Sequence, residues 1–297
     1  MSVNLPGHYV VQYANNIQLL LQQKGSKLRN LVMTGSYVGK QASPVDQIGS
    51  ISAQKVASRF APMGRVDAPV DRRWVFPNDY DLPQLIDQFD KLRLLLDPSS
   101  SYVQNAMYAM GRAMDDEIID AFFADAKTGE TGATTTSFAT ATQTVGVSTG
   151  GTTSSLNVAK LRAAKRILMA NEVDLDSDPI TCIITAKEHD ALLNEIQITS
   201  MDFNSKPVLV DGKVQQFLGI NFVHCERLKT GIDDASGTSN MIPLFAKSGM
   251  HLGMWNDVTT DISQRKDLQG LPWQAYAYGT FGATRVEEKK IVRVWCR

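Results

Sequence analysis

The residues that could react or hold an ion are few, and they are scattered along the chain. Gly35, Gly39 and Lys40 begin like a phosphate-binding loop, in which backbone amides wrap a phosphate and the lysine reaches its oxygens. The spacing is one residue short, and Gln41 stands where a hydroxyl would hold magnesium. The segment therefore reads as a strand turn. Asp174, Asp176 and Asp178 open like a calcium loop, but Pro179 sits where glycine is needed and Thr185 where a bidentate glutamate is needed. Lys187, Glu188, His189 and Asp190 are acid–base types, yet consecutive residues of a helix point around the cylinder and do not converge. Acidic groups at a helix start also suit its dipole. The histidines, His8, His189, His224 and His251, lack metal-ligand spacing, and no serine sits in a nucleophile elbow. Cys182, Cys225 and Cys296 form no framework and fit a reducing compartment, where a buried thiol acts as a small apolar group. No catalytic residue, cofactor site or metal site is assigned.

Composition narrows the class further. The 297 residues, 43% hydrophobic and 21% charged, are those of a folded globular protein. Thirty basic residues against 31 acidic ones leave a net charge of -1, without the basic excess of a dedicated nucleic-acid binder. Any DNA nearby is expected to be contained and not gripped. The start, MSVNLPGHYV, has no basic region followed by an apolar one, and no apolar run is long enough to span a membrane. An aqueous, intracellular life is the expectation.

The elements follow from periodicity. Val10, Tyr13, Ala14, Ile17, Leu20 and Leu21 have helical spacing, with Gly25 as a stop. From residue 35 to 83 the pattern changes: five of the eleven prolines lie here, and only short alternating stretches remain. So long an excursion with so little apolar content cannot build its own core, and a lone two-stranded ribbon is marginal in water. Residues 85–97 read as a short helix through Leu85, Ile86, Phe89 and Leu92, halted at Pro98. A long helix over 99–125 follows, with one apolar stripe that includes Val103, Met107, Met110, Met114 and Ile118. Residues 128–155 hold eleven threonines, five glycines and four serines, and the alternation over 137–147 predicts a solvent-exposed hairpin. Beyond lies a mixed region. It comprises a helix capped by Asn157, a buried strand over 180–185, a helix over 186–196, a hairpin turning at Asp211 and Gly212, strands over 217–224 and 241–245, and alternating strands to the end.

This order of parts resembles the major capsid proteins of tailed bacteriophages, the Hong Kong 97-type fold, over essentially the whole chain. Local stretches agree with it: residues 243–249 resemble a strand crossing the axial domain, 265–272 the turn at the peripheral tip, and 278–286 the returning strand. The resemblance implies an α+β protein with an N-terminal arm (1–34), an extended loop (35–84), a peripheral domain (85–157 and 256–285) holding the spine helix 99–125, and an axial domain (158–255 and 286–297). It implies a structural, non-enzymatic protein of the virion that self-assembles into an icosahedral shell of hexamers and pentamers around double-stranded DNA. Ile51, Arg59, Arg65, Arg72, Trp74 and Phe76 of the extended loop are expected to meet neighbouring subunits. The stripe Val103, Met107, Met110, Met114 and Ile118 is expected to pack on the peripheral sheet. No long charged helical segment precedes the arm, so a fused scaffolding region is expected to be either removed or encoded separately. The resemblance implies separate scaffolding, portal and decoration proteins as partners. An encapsulin-like compartment shell shares this fold. A cytoplasmic α/β enzyme built on residues 157–257 would leave the proline-rich excursion and the threonine-rich segment unexplained.

Overall fold

The computed structural model describes residues 22–39, 42–55, 58, 64–86, 99–149, 153–199 and 212–297. The predicted helix over 8–24, the core of the segment 85–97 and the Asp211 turn lie largely or wholly outside these. The chain divides into two compact units, one of residues 1–26, 79–112 and 258–279, the other of residues 27–78, 113–257 and 280–297. Among the described residues no helix is long and apolar enough to cross a membrane.

The larger unit is organised by a seven-stranded mixed sheet. Its strands are β7 (Thr144–Val145), β8 (Ile180–Ile184), β9 (Gln216–Phe217), β10 (Ile220–His224), β11 (Thr230–Ile232), β12 (Thr238–Ala246) and β15 (Ile291–Cys296). They run in the order β7-β15-β12-β8-β10-β9, with β11 paired to β12. β8 is apolar at nearly every position because it lies mid-sheet and is covered on both faces. Side chains alternate across a strand, so Cys182, Ile220, Leu244 and Val294 share one face. On that face they pack with helices α2 (Val158–Ala170) and α3 (Ala186–Leu193) through Leu161, Leu168 and Leu192. On the other face the Phe245 ring meets Phe122 of the long helix α1 (Ser99–Phe123), centroids 4.7 Å apart. Asn157 caps α2, its side chain accepting from the Lys160 amide at 2.8 Å. Thr185 and Glu188 form a capping box on α3, which explains the acidic residue there without any catalytic role. A short helix, α4 (Ile196–Thr199), follows.

A second, four-stranded antiparallel sheet in the same unit joins β2 (Ala42–Ile48), β3 (Val70–Val75), β5 (Ala126–Thr128) and β6 (Thr134–Thr136), in that order. The stem of the proline-rich excursion is thus completed by the threonine-rich segment, with Arg73 opposite Thr128 and Trp74 opposite Lys127. In this unit β1 (Met33–Ser36) also pairs in parallel with the start of β13 (Met250–Gln264). In the smaller unit, β4 (Asn78–Ile86), β13 and β14 (Trp273–Arg285) contribute strand, with β14 between the other two.

Two expectations are corrected. The 137–147 stretch is not a solvent-exposed hairpin: Phe138, Val145 and Val147 are buried, and β7 joins the large sheet parallel to β15. Its alternation is real, but the apolar phase meets a core supplied by the chain's last strand. Leu85 and Ile86 are strand, not helix. β4 is an edge strand, a position in which proline is tolerated. A tight hairpin does form at Leu218 and Gly219, both at positive φ, between β9 and β10.

Candidate assembly surfaces

The ribbon β2–β3 carries several exposed apolar side chains close together. Ile48 and Val70 face each other across the strands, yet they are 74% and 71% exposed, and Ile51 and Val66 are also uncovered. Beyond the closing bond from the Gly49 amide to the Pro69 carbonyl, 2.7 Å, the described residues carry no helix or strand. The ribbon therefore carries an apolar strip left exposed among the described residues.

The predicted contact residues separate along this ribbon. Ile51 is exposed, and Arg65 is exposed and paired with Asp67 at 2.7 Å. Arg59 lies outside the described residues. Arg72 is tied across the strands to Asp46 at 2.6 Å and lies over the Trp74 ring. Trp74 is half-buried. Its Nε1 donates to the Gly129 carbonyl at 2.7 Å, and its ring lies where a side chain on Gly132 would stand. The reason is the strand pairing with β5, which brings the threonine-rich loop over the indole. Phe76, 40% exposed, follows the end of β3.

Helix α1 shows the same division. Met110, Met114 and Ile118 are buried and Val103 is half-buried, but Met107 is 47% exposed. Met107 shares its helix face with Met114, so periodicity cannot tell them apart. The difference is in the cover. At Gly111, one turn on from Met107, the backbone of Gly25 and Ser26 crosses so closely that a Cβ would sit 2.6 Å from it. In the larger unit the acidic face of α1 is satisfied internally. Asp115 accepts the Lys27 and Leu28 amides at 3.0 and 3.1 Å, Asp116 pairs with Arg227, and Asp120 pairs with Lys229.

Arg285 fixes the stem of the ribbon. It is fully buried, and its guanidinium donates to the carbonyls of Phe122 (3.0 Å), Ala124 (2.7 Å) and Thr136 (3.1 Å). Glu288 lies 3.3 Å away and is shared with Arg73, whose Nε also donates to the Val286 carbonyl. One cation thus closes the end of α1, whose last carbonyls have no intrahelical partner, and joins it to the ribbon sheet. Burial pulls the Arg285 pKa below its ordinary value, against the nearby carboxylate. Sequence reading missed this residue because its partners lie about 150 positions away. The available signal was its strand phase, shared with buried Ala277 and Phe281.

The exposed hairpin turn after β13 is also preorganised. Arg265 grips Asp267 through Nε at 2.7 Å and reaches Gln274 at 2.9 Å, while Leu271 is held at φ 47° with Leu268 exposed beside it. Hydrogen bonding and the positive partner hold the Asp267 carboxyl at about 2. Among the described residues no group of His, Cys, Asp and Glu could hold a metal.

The sequence matches the family described as phage capsid protein over residues 5–297. This chain belongs to that family. It is a structural capsid protein, not an enzyme, and its architecture is the Hong Kong 97-type capsid fold. Solved structures similar to it include the capsid of the cyanophage P-SCSP1u (TM-score 0.77, 12% identity, covering 98% of this chain and 93% of that one). The cyanophage Pam1 capsid gives a TM-score of 0.73 at 11% identity, with 96% and 95% covered. The capsid of the native GTA particle gives 0.69 at 14% identity, with 99% and 98% covered. A search of curated proteins finds no match. At such low identities the likeness is one of fold.

Proposed function

We propose that copies of this capsid protein join through the ribbon β2–β3, each laying its apolar strip on a neighbour, to form the hexamers and pentamers of an icosahedral head. In this reading residues 35–84 are the extended loop, α1 is the spine of the peripheral domain, and the seven-stranded sheet is the axial domain. The observation that carries it is the exposed cross-strand pair Ile48 and Val70, continued by Ile51 and Val66. Covering what remains exposed on these four side chains would contribute on the order of 4 kcal/mol per copy before ordering costs. Head-to-tail contacts of this kind close into rings. The head would assemble in the host cytoplasm, aided by separate scaffolding and portal proteins, with decoration proteins as optional partners, and would enclose double-stranded DNA.

Limited proteolysis with light scattering tests this. The unassembled chain is expected to be cut at Arg65, while Arg72, held in the paired stem, resists in both states. Assembly should protect Arg65. Ile48→Asp with Val70→Asp should fold normally and fail to assemble. Equal protection of Arg65 before and after assembly, or shells formed by the double variant, would refute the ribbon's role.

A further inference from the structure

Helix α2 bears four cations, Lys160, Arg162, Lys165 and Arg166, and no acidic residue. Lys160 turns inward, its ammonium held by the Ser154 and Trp295 carbonyls at 2.5 and 2.8 Å. The other three line a shallow trough of about 840 Å³ on the outer face of the helix. Lys165 is fixed at its edge by a 2.7 Å bond to the Leu218 carbonyl. Arg162 and Arg166 are exposed, and neither has an ion pair or side-chain hydrogen bond among the described residues. Two like charges one turn apart repel each other, so this face retains an unfavourable arrangement that no counter-ion among the described residues relieves. The acidic face of α1 is the opposite case, since Asp115, Asp116 and Asp120 are all partnered internally. The net charge of -1 conceals this asymmetry.

We propose that the outer face of α2 is a contact for the sugar–phosphate backbone of duplex nucleic acid, bound without regard to sequence. The proposal rests on the reading that the shell encloses DNA. Arg162 and Arg166 stand about 6 Å apart along the helix axis, close enough to meet separate phosphates of a duplex that carries one charge per about 1.7 Å. Their planar forks suit phosphate oxygens. The small side chains of Ala159 and Ala163 also line the trough and leave room for a backbone to approach. A shallow trough has no deep pocket to anchor a peptide side chain, which favours a nucleic acid over an acidic protein segment. Three cations make a weak contact in one copy, and repetition over a shell multiplies it.

The test is fluorescence anisotropy of a labelled duplex of about 20 base pairs, titrated with the unassembled chain at several salt concentrations. Three phosphate contacts predict a slope of log affinity against log salt near about -2.7, and R162A/R166A should lower its magnitude by about 1.8. R162K/R166K, which keeps the charge, should retain most of the slope, and Lys187→Ala on α3 should leave it unchanged. Circular dichroism confirms that each variant folds. Three results would overturn the proposal: no binding by the native chain, an unchanged slope in R162A/R166A, or binding of a polyglutamate peptide with the duplex left free. Light scattering reports separately on assembly. A chain that binds the duplex but never forms shells sinks the shell reading and leaves this contact standing.

Discussion

Replacing Arg285 by leucine should unfasten the stem of the ribbon while keeping much of the side-chain volume. The guanidinium serves three carbonyls at 2.7–3.1 Å and one carboxylate at 3.3 Å. Hydrogen bonds from a charged donor count for about 1.5–3 kcal/mol each when removed singly, and each buried acceptor left unpaired costs about 1–3 kcal/mol. These terms share one group and do not add. Removing the guanidinium also avoids the cost of burying its charge. The nearest measured analogue, loss of one partner from a buried ion pair, costs about 3–5 kcal/mol, and we expect Arg285→Leu to fall in that range. Urea unfolding of the unassembled chain, followed by tryptophan fluorescence, should show the midpoint falling by about 1–2 M for slopes of about 2–3 kcal/mol per M. Arg285→Lys, a point charge with fewer directed donors, should lie between leucine and the native protein. The ribbon should also loosen, with Arg72 becoming open to protease. A leucine variant within about 1 kcal/mol of the native protein would show that the carbonyls find other partners, and the account of Arg285 as the fastening of the stem would be wrong.

Met110→Asp should destabilise by several kcal/mol because it buries a lone carboxylate, whereas Met107→Asp, on the open part of the same face, should stay within about 0.5 kcal/mol; equal losses in urea unfolding would contradict the observed burial. Gly111→Ala should cost about 1–3 kcal/mol through collision with the Gly25–Ser26 backbone, although alanine is the better helix former by about 1 kcal/mol, and a stabilised variant would refute the crossing. His251 is buried, with Nε2 2.8 Å from the Tyr37 hydroxyl and Nδ1 unpartnered, and burial lowers its pKa from 6.5 to about 4. The unfolded chain binds this proton more readily, so the stability tied to neutral His251 is complete above about pH 6.5 and is lost as pH falls towards 4, by about 3 kcal/mol in all. His251→Gln should flatten thermal stability across that window, and an unchanged pH profile would count against the buried imidazole. Burial alone would raise the Asp233 carboxyl, but bonds from Ser239, the Gly237 amide, Arg297 and the Ala235 amide bring it to about 2. Its contribution is lost only below the ordinary carboxylate pKa of 3.8, so the two transitions should separate.

Much of the architecture was legible before any coordinates, because it depends on neighbours in sequence. The stripe through Met110, Met114 and Ile118 has helical period, Asn157 precedes a helical run it can cap, and residues 180–184 form an apolar run too short for a helix. The capsid identity was legible as an order of such parts. Tertiary structure decided which apolar phase was covered and by what. The alternation over 137–147 looked like an exposed hairpin, and only the chain's last strand, some 150 residues on, turned it into core. Trp74 is half-buried against the loop at Gly129 and Gly132, while Ile48 and Val70 stay open. Met107 and Met110 lie on the same face of one helix, yet the first is exposed and the second buried. Periodicity states which residues share a face, since a strand or helix repeats on the scale of a few residues. What lies against that face is set by segments distant in the chain, and burial, pKa and the pairing of charges all follow from that cover.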